Sequence, residues 1–164
     1  MSAAGPPQGA KAPLGGSEVH AVTSVGACVV LDTNIVLDAF VFSDPATLAL
    51  RAGLQDGSLQ WIATGAMRVE LARVLGYAQI VPRLAYYGLQ ADDVLAAFDR
   101  HAHPVDAAAK ACVSCSDPDD QIFIDLAVHH RCALLSKDRA VLKMRKRLLA
   151  LGVRTGAALA ALPA

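Results

Sequence analysis

The stretch Ala27-Cys28-Val29-Val30-Leu31-Asp32-Thr33-Asn34 decides the fold. Cys28 to Leu31 is a continuous apolar run with two β-branched valines. Such a run reads as a strand buried on both faces, as inside a parallel sheet. A carboxylate, Asp32, follows at its C-terminal end. In open α/β sheets that edge is where ligands bind. A charge buried there without a partner or a cation is costly. Asp32 is therefore read as one wall of an acidic cup, with later segments supplying the others.

Outward from this strand, Asn34 can cap a short helix through Phe40. Ser43 or Asp44 then caps a helix that starts at Pro45 and runs to about Gln55, and Asp56-Gly57 makes the turn. Leu59 to Ala63 reads as a second strand. Thr64 caps a helix through Leu75 with Gly76 as its stop, and Met67, Leu71 and Val74 form its apolar side. Glu70 lies on the border of that side. Pro82 to Gly88 reads as a connection, Ala91 to about His101 as a helix ended by Pro104, and Lys110 to Val113 as a short extended segment. Asp117 with Pro118 marks a strong helix start, and that helix runs to about His130. Cys132 to Leu135 is another buried-type strand and it too leads to a carboxylate, in Ser136-Lys137-Asp138. Ala140 to Leu151 reads as one basic helix stopped by Gly152, with a last strand over Val153 to Thr155. Strands alternating with helices imply a parallel sheet.

The 164 residues fit one domain. Residues 1–24 are rich in Ala, Gly and Pro without apolar periodicity and read as a disordered extension, leaving 25–160 as the folded unit. Hydrophobic residues make up 54% and charged residues 18%, so the surface should carry apolar patches, which points to self-association. The formal net charge is zero, so a nucleic-acid partner would have to use a local basic patch. No apolar stretch reaches the length of a membrane span, and no signal-peptide pattern opens the chain. Of the four cysteines, Cys28 and Cys132 read as small core residues, which makes a reduced, cytoplasmic protein the simplest expectation.

Topology gives four acids a reason to meet. Asp32 and Asp138 end two strands at one edge, Asp120 opens a helix there, and Glu70 projects from a helix that starts there. Four carboxylates in one cleft repel one another unless cations neutralise them. Mg²⁺ suits one or two carboxylates with substrate phosphate. A pair of such ions about 4 Å apart can activate water and stabilise the leaving oxygen of a phosphodiester.

Three segments, VVLDTNIVLDAF from Val29, WIATGAMRVELARVL from Trp61 and CSDPDDQIFIDLAVHHRCALLSKDRAVL from Cys115, resemble the successive motifs of a PIN domain. The likeness is to the branch of toxin components of toxin–antitoxin pairs, the VapC-like ribonucleases, and it spans about Ala27 to Thr155. The resemblance implies a three-layer α/β/α sandwich with a central parallel sheet, Mg²⁺ or Mn²⁺ as cofactor, RNA as substrate and an antitoxin as partner. Its acids fall on Asp32, Glu70, Asp120 and Asp138, with Asp32, Asp120 and Asp138 as metal ligands. Asn34, Thr64 and Ser136 fall on the family's supporting polar positions, and Asp117 could be a further or alternative ligand. The implied reaction is in-line attack of water on phosphorus, leaving a 5′-phosphate and a 3′-hydroxyl. The N-terminal extension departs from the family pattern.

Plainer readings stand beside these. Asp117 is first a helix cap, and Asp119 a solvated charge favoured by the helix dipole. Asp38 reads as a helix-end charge and Asp125 as surface. Cys112 and Cys115 form a C-x-x-C without the second ligand pair that a zinc site needs. Lys143, Lys146 and Arg147 form either a solvated helix face or a hold on RNA phosphates. Trp61, Tyr77, Tyr86 and Tyr87 read as core or interface packing; nothing in the sequence supports base stacking by them. The competing function is a catalytically weak PIN-type module for RNA binding or oligomerisation, and phosphoryl chemistry on an aspartate is disfavoured because Asn34 stands where a D-x-D pair would need its second Asp.

Overall fold

A computed structural model describes residues 26–164, so the expected 1–24 extension lies outside the described residues. Five strands form one sheet: β1 (Ala27–Leu31), β2 (Leu59–Ala63), β3 (Ala102–Pro104), β4 (Ala133–Leu135) and β5 (Thr155–Gly156). All pairings are parallel and the order is β3-β2-β1-β4-β5. Side chains alternate between the faces of a strand. Val29, Val30 and Leu31 are nevertheless all buried, as are Leu134 and Leu135. Both faces are therefore covered, which gives the expected α/β layering.

The cover comes from eight helices among the described residues. They are α1 (Thr33–Phe40), α2 (Leu48–Asp56), α3 (Gly65–Leu75), α4 (Val81–Tyr86), α5 (Ala91–His101), α6 (Gln121–His130), α7 (Arg139–Leu142) and α8 (Arg145–Ala150). Thr64 caps α3 by accepting from the Met67 N–H, and Asp44 caps the single turn at Pro45–Thr47 that leads into α2. Gly57, at φ 83°, closes α2 in the left-handed region that glycine adopts without steric cost. Trp61, fully buried on β2, packs edge-on against Phe98 of α5 at 4.9 Å between ring centroids. That contact holds the β2–β3 side of the sheet to its helical cover.

From β1 the chain builds outward through β2 to β3, then returns to place β4 on the other side of β1. The order reverses between β1 and β4, and a crevice at the C-terminal ends of these two strands is where such sheets bind ligands. The register pairs Val29 with Ala133, Val30 with Leu134 and Leu31 with Leu135. Asp32 and Ser136 are thus the next pair beyond the ladder, and the Asp32 N–H donates to the Leu135 carbonyl at 3.0 Å.

Several local expectations are corrected. Asp32, not Asn34, is the N-cap residue of α1. Pro82 lies in the first turn of a helix that starts at Val81, instead of in a connection, because proline is tolerated in a first helical turn. The strand after α5 is Ala102–Pro104, and Lys110–Val113 joins no ladder. The basic helix is broken at Lys143–Met144 into α7 and α8, and Met144 is buried at the break. His130 is exposed.

Cys28 and Cys132, one register step before the first β1–β4 pair, are joined as a disulfide with Cα atoms 4.9 Å apart. The expectation of two reduced core thiols is therefore corrected: parallel pairing places these side chains against each other. The bond ties residues separated by 104 positions. A cross-link over so long a loop restricts the unfolded chain strongly, with typical stabilisation of roughly 2–4 kcal/mol. Cys28→Ser should lower the thermal midpoint under non-reducing conditions, and reductant should then have no further effect. Equal midpoints for Cys28→Ser and wild type without reductant would show the bond contributes nothing.

Candidate functional site

Asp32 ends β1 and stands before α1, with only 5% of its surface exposed. Its side chain makes no well-formed cap hydrogen bond to α1, although the Asn34 backbone N–H faces it closely enough to favour its charge. Instead Ser136 Oγ donates to Asp32 Oδ2 at 2.6 Å. The same Oγ accepts from the Asp138 backbone N–H at 3.0 Å. One hydroxyl thus fixes both strand ends. Asp138 also caps α7, accepting from Ala140 N–H at 2.8 Å through Oδ1.

Asp117 and Asp120 arrive from the other side. Asp117 caps the turn at Pro118–Asp120 by accepting from Asp119 N–H at 3.0 Å. The approach of the preceding loop is set by Gln121. Its Oε1 accepts from Cys115 N–H at 2.7 Å, while its Nε2 donates to the Val113 carbonyl and to Asp125 Oδ1. Asp125 Oδ1 also accepts from Ala111 N–H at 2.8 Å. Asp125, expected at the surface, is therefore half-buried and clamps the loop to α6. Cys112 and Cys115 are unbonded thiols in this loop.

Asp117, Asp120 and Asp138 each offer a carboxylate oxygen within 4.8 Å of the other two. Asp32 is not in that group but shares a cavity with Asp120. Burial is the main cause that pushes the Asp120 carboxyl up to about 8, followed by the charges of Asp32 and Asp138. Asp32 is also raised, by burial first; the Ser136 hydroxyl and the Asn34 backbone N–H oppose the rise, and the charges of Asp138 and Glu70 add to it. Asp120 Oδ2 is buried without a hydrogen-bond partner. An orphaned buried carboxylate oxygen among all-oxygen donors fits a hard divalent cation, which takes such ligands.

Glu70 is half-buried on α3 and lines the same cavity as Asp32 and Asp120. Thr33 Oγ1 donates to Glu70 Oε2 at 2.5 Å, and Arg73 Nη2 lies 3.8 Å from Glu70 Oε1. Reading the sequence alone misses Thr33 and Arg73. The i,i+3 spacing of Glu70 and Arg73 is a usable signal for one; nothing local ties Thr33 to a residue on another helix. Asn34 is exposed and lines the cavity. Thr64 lies apart from it: its hydroxyl is used as the α3 cap, and it lines a separate hollow near Arg68 and Asp99. Asp38, expected as a helix-end charge, is buried and paired with Lys137 at 2.5 Å, which holds α1 to the segment after β4. Lys143 and Lys146 line a basic hollow with Arg139 and Arg145, while Arg147 is exposed on α8.

The raised Asp120 carboxyl makes the stability of the metal-free protein depend on pH. Unfolded, the group ionises near 3.8; folded, it keeps its proton to about 8. Across that window the unfolded chain binds fewer protons, so Asp120 makes stability fall as pH rises. The difference in thermal midpoint between Asp120→Asn and wild type should therefore grow in favour of the variant across this range. A pH-independent difference would refute the raised value.

A model of the PIN domain family matches residues 28–140. Among solved structures, the crystal structure of VapBC2 from Rickettsia felis bound to a DNA fragment from their promoter includes a chain similar in fold. It aligns at 14% identity with a TM-score of 0.51, over 78% of this chain and 98% of that one. No curated protein matches. The family match covers most of the chain, runs from within β1 to the start of α7, and includes the acids at the β1–β4 crevice: the chain belongs to the PIN domain family.

Proposed function

We propose that this protein is a divalent-metal-dependent endoribonuclease, the toxin of a toxin–antitoxin pair. The observation that carries the reading is the buried, unpartnered Asp120 Oδ2 within a group of carboxylates at the sheet's switch point. Asp117, Asp120 and Asp138 would hold Mg²⁺ or Mn²⁺, with Asp32 and Glu70 beside them. A bound divalent ion supplies the Lewis acidity that makes water a nucleophile near neutral pH and offsets charge on the leaving oxygen. The chain's own residues do the rest. Ser136 fixes the Asp32 carboxylate and the Asp138 backbone, and Thr33 fixes Glu70, so that the acids meet an incoming phosphodiester in one orientation. Asp32 and Glu70 can accept the proton lost by water as it attacks phosphorus in line.

The basic hollow begins at Arg139, next to Asp138, and none of its cations is ion-paired among the described residues. It supports a hold on RNA phosphates by Lys143 and Lys146, with Arg147 nearby. The Rickettsia felis neighbour is VapBC2 bound to promoter DNA, and its likeness in fold supports an antitoxin partner for this chain. The exposed apolar side chains of Val69, Val81 and Tyr86 support docking to such a partner or to a second copy. No described helix is long and apolar enough to cross a membrane. A cytoplasmic location belongs to the toxin reading, because the RNA it would cut is there; it no longer rests on reduced cysteines, since Cys28 and Cys132 are bonded.

Purified protein should cut RNA only with Mg²⁺ or Mn²⁺ present. Asp32→Asn, Asp120→Asn and Asp138→Asn should each reduce single-turnover cleavage by about a hundredfold or more while the fold is kept, because each replaces a carboxyl whose ionised form its acidic neighbours repel. Undiminished cleavage by Asp32→Asn would remove it from the machinery, and no cleavage by wild type with either metal would favour the RNA-binding or oligomerisation module instead. Lys143→Ala with Lys146→Ala and Arg147→Ala should weaken RNA binding and make its logarithmic salt slope shallower by about two to three. An unchanged slope would return these residues to a solvated face.

A further inference from the structure

The cavity that contains Asp32, Glu70 and Asp120 has a second wall that the acid chemistry does not use. Its volume is about 280 Å³. Leu37 of α1, Val74 of α3, and Tyr77 and Ile80 from the turn after α3 make that wall apolar, and Asn34 and Gln79, whose side chains end in carboxamides, line the same cavity. Tyr77 is held by its backbone from both directions. Its N–H donates to the Val74 carbonyl, and its carbonyl accepts from Ile80 and Val81. Its side chain is not spent in the core: Tyr77 is 39% exposed, and among the described residues its ring pairs with no other aromatic. Tyr86 and Tyr87, by contrast, pack on each other, and Tyr87 also meets Phe42.

From this juxtaposition we propose that the cavity is a nucleobase subsite, in which the base of a nucleotide flanking the scissile phosphate stacks on Tyr77 and presents its edge to Gln79 and Asn34. The inference rests on the ribonuclease reading and deepens it by giving the enzyme a means of base preference. Size favours this occupant. The cavity lies at the small end of ligand pockets, which run from about 300 Å³ upward. A volume of this size suits one planar ring system. Chemistry favours it as well. Aromatic stacking accepts any base, and single-stranded RNA is recognised by stacking combined with hydrogen bonds to exposed base edges. Carboxamides carry both donors and acceptors for such an edge. Arg73, on the same cavity and 62% exposed, can meet the adjoining phosphate while it stands beside Glu70. A base here would place its own phosphate toward Asp32 and Asp120, the group to be cut.

The test uses the full chain and begins with a randomised RNA, sequenced at its cut ends to find the preferred bases. Tyr77→Ala and Tyr77→Phe are then compared on the preferred RNA and on RNAs with an abasic ribose at either flanking position. Tyr77→Ala should slow cleavage of the preferred RNA about tenfold and flatten the preference at one flanking position. It should have no effect on the RNA that is abasic there, and Tyr77→Phe should behave as wild type. Gln79→Ala should shift which base is preferred without slowing the abasic RNA. Equal slowing of intact and abasic RNAs by Tyr77→Ala would make Tyr77 a structural residue, and unchanged rates and preference would leave the wall to a protein partner; either result overturns the subsite. Absence of metal-dependent cleavage by wild type would overturn the nuclease reading and the subsite with it, and is recognised before any variant is made.

Discussion

Carboxylates do not assemble of their own accord. Asp117, Asp120 and Asp138 bring oxygens within 4.8 Å of one another, with Asp32 sharing the cavity, and no ion pair reaches any of them among the described residues. Their mutual repulsion is held in place by the rest of the domain. Backbone pairing of β1 with β4 sets two of the acids side by side, and burial of both faces of those strands resists any relaxation that would separate them. Without a cation, the protein's remaining relief is a proton, and Asp120 keeps one to about 8. A divalent ion would replace that proton, so the site couples metal affinity to pH.

Small hydroxyl groups do much of the positioning. Ser136 spans Asp32 and the backbone of Asp138, and Thr33 reaches across to Glu70 on a different helix. Each removes rotational freedom from a carboxylate that would otherwise turn toward solvent. The loop before Asp117 has no ladder of its own. Gln121 and Asp125 supply the missing backbone partners from α6 and so deliver Asp117 to the crevice. Asp38 and Lys137 close the same region from behind, joining α1 to the turn after β4. The site is thus a junction of four chain segments, each tied by a side chain rather than by sheet pairing alone.

The Cys28–Cys132 bond lies at the opposite end of the same two strands. The β1–β4 pair is therefore tied covalently below and by the Ser136–Asp32 hydrogen bond above. Both follow from one register: any slip between these strands would break them together.

Much of this was legible in the order of residues. Continuous apolar runs at Cys28–Leu31 and Cys132–Leu135, each short and ended by a polar residue, read as strands buried on both faces, because alternation is needed wherever one face meets water. Acids at their C-terminal ends, the Thr64 and Asp117–Pro118 helix starts and the Gly57 turn are local chemistry, and they stand where the pattern placed them. Less legible were features whose partners lie far along the chain. The helix at Val81–Tyr86 and the break at Met144 depend on what packs beneath them, and β3 is too short to announce itself. The residues that orient the acids, Thr33 for Glu70 and Lys137 for Asp38, carry no spacing signal because their contacts cross between elements. The pairing of Cys28 with Cys132 and the exposure of Tyr77 at the acidic cavity are of the same kind. Local sequence determined the elements and the acids that cap or follow them, since those depend on neighbours within a turn; tertiary structure alone decided which side chains share a pocket, since that depends on strand order and register over a separation of 104 residues.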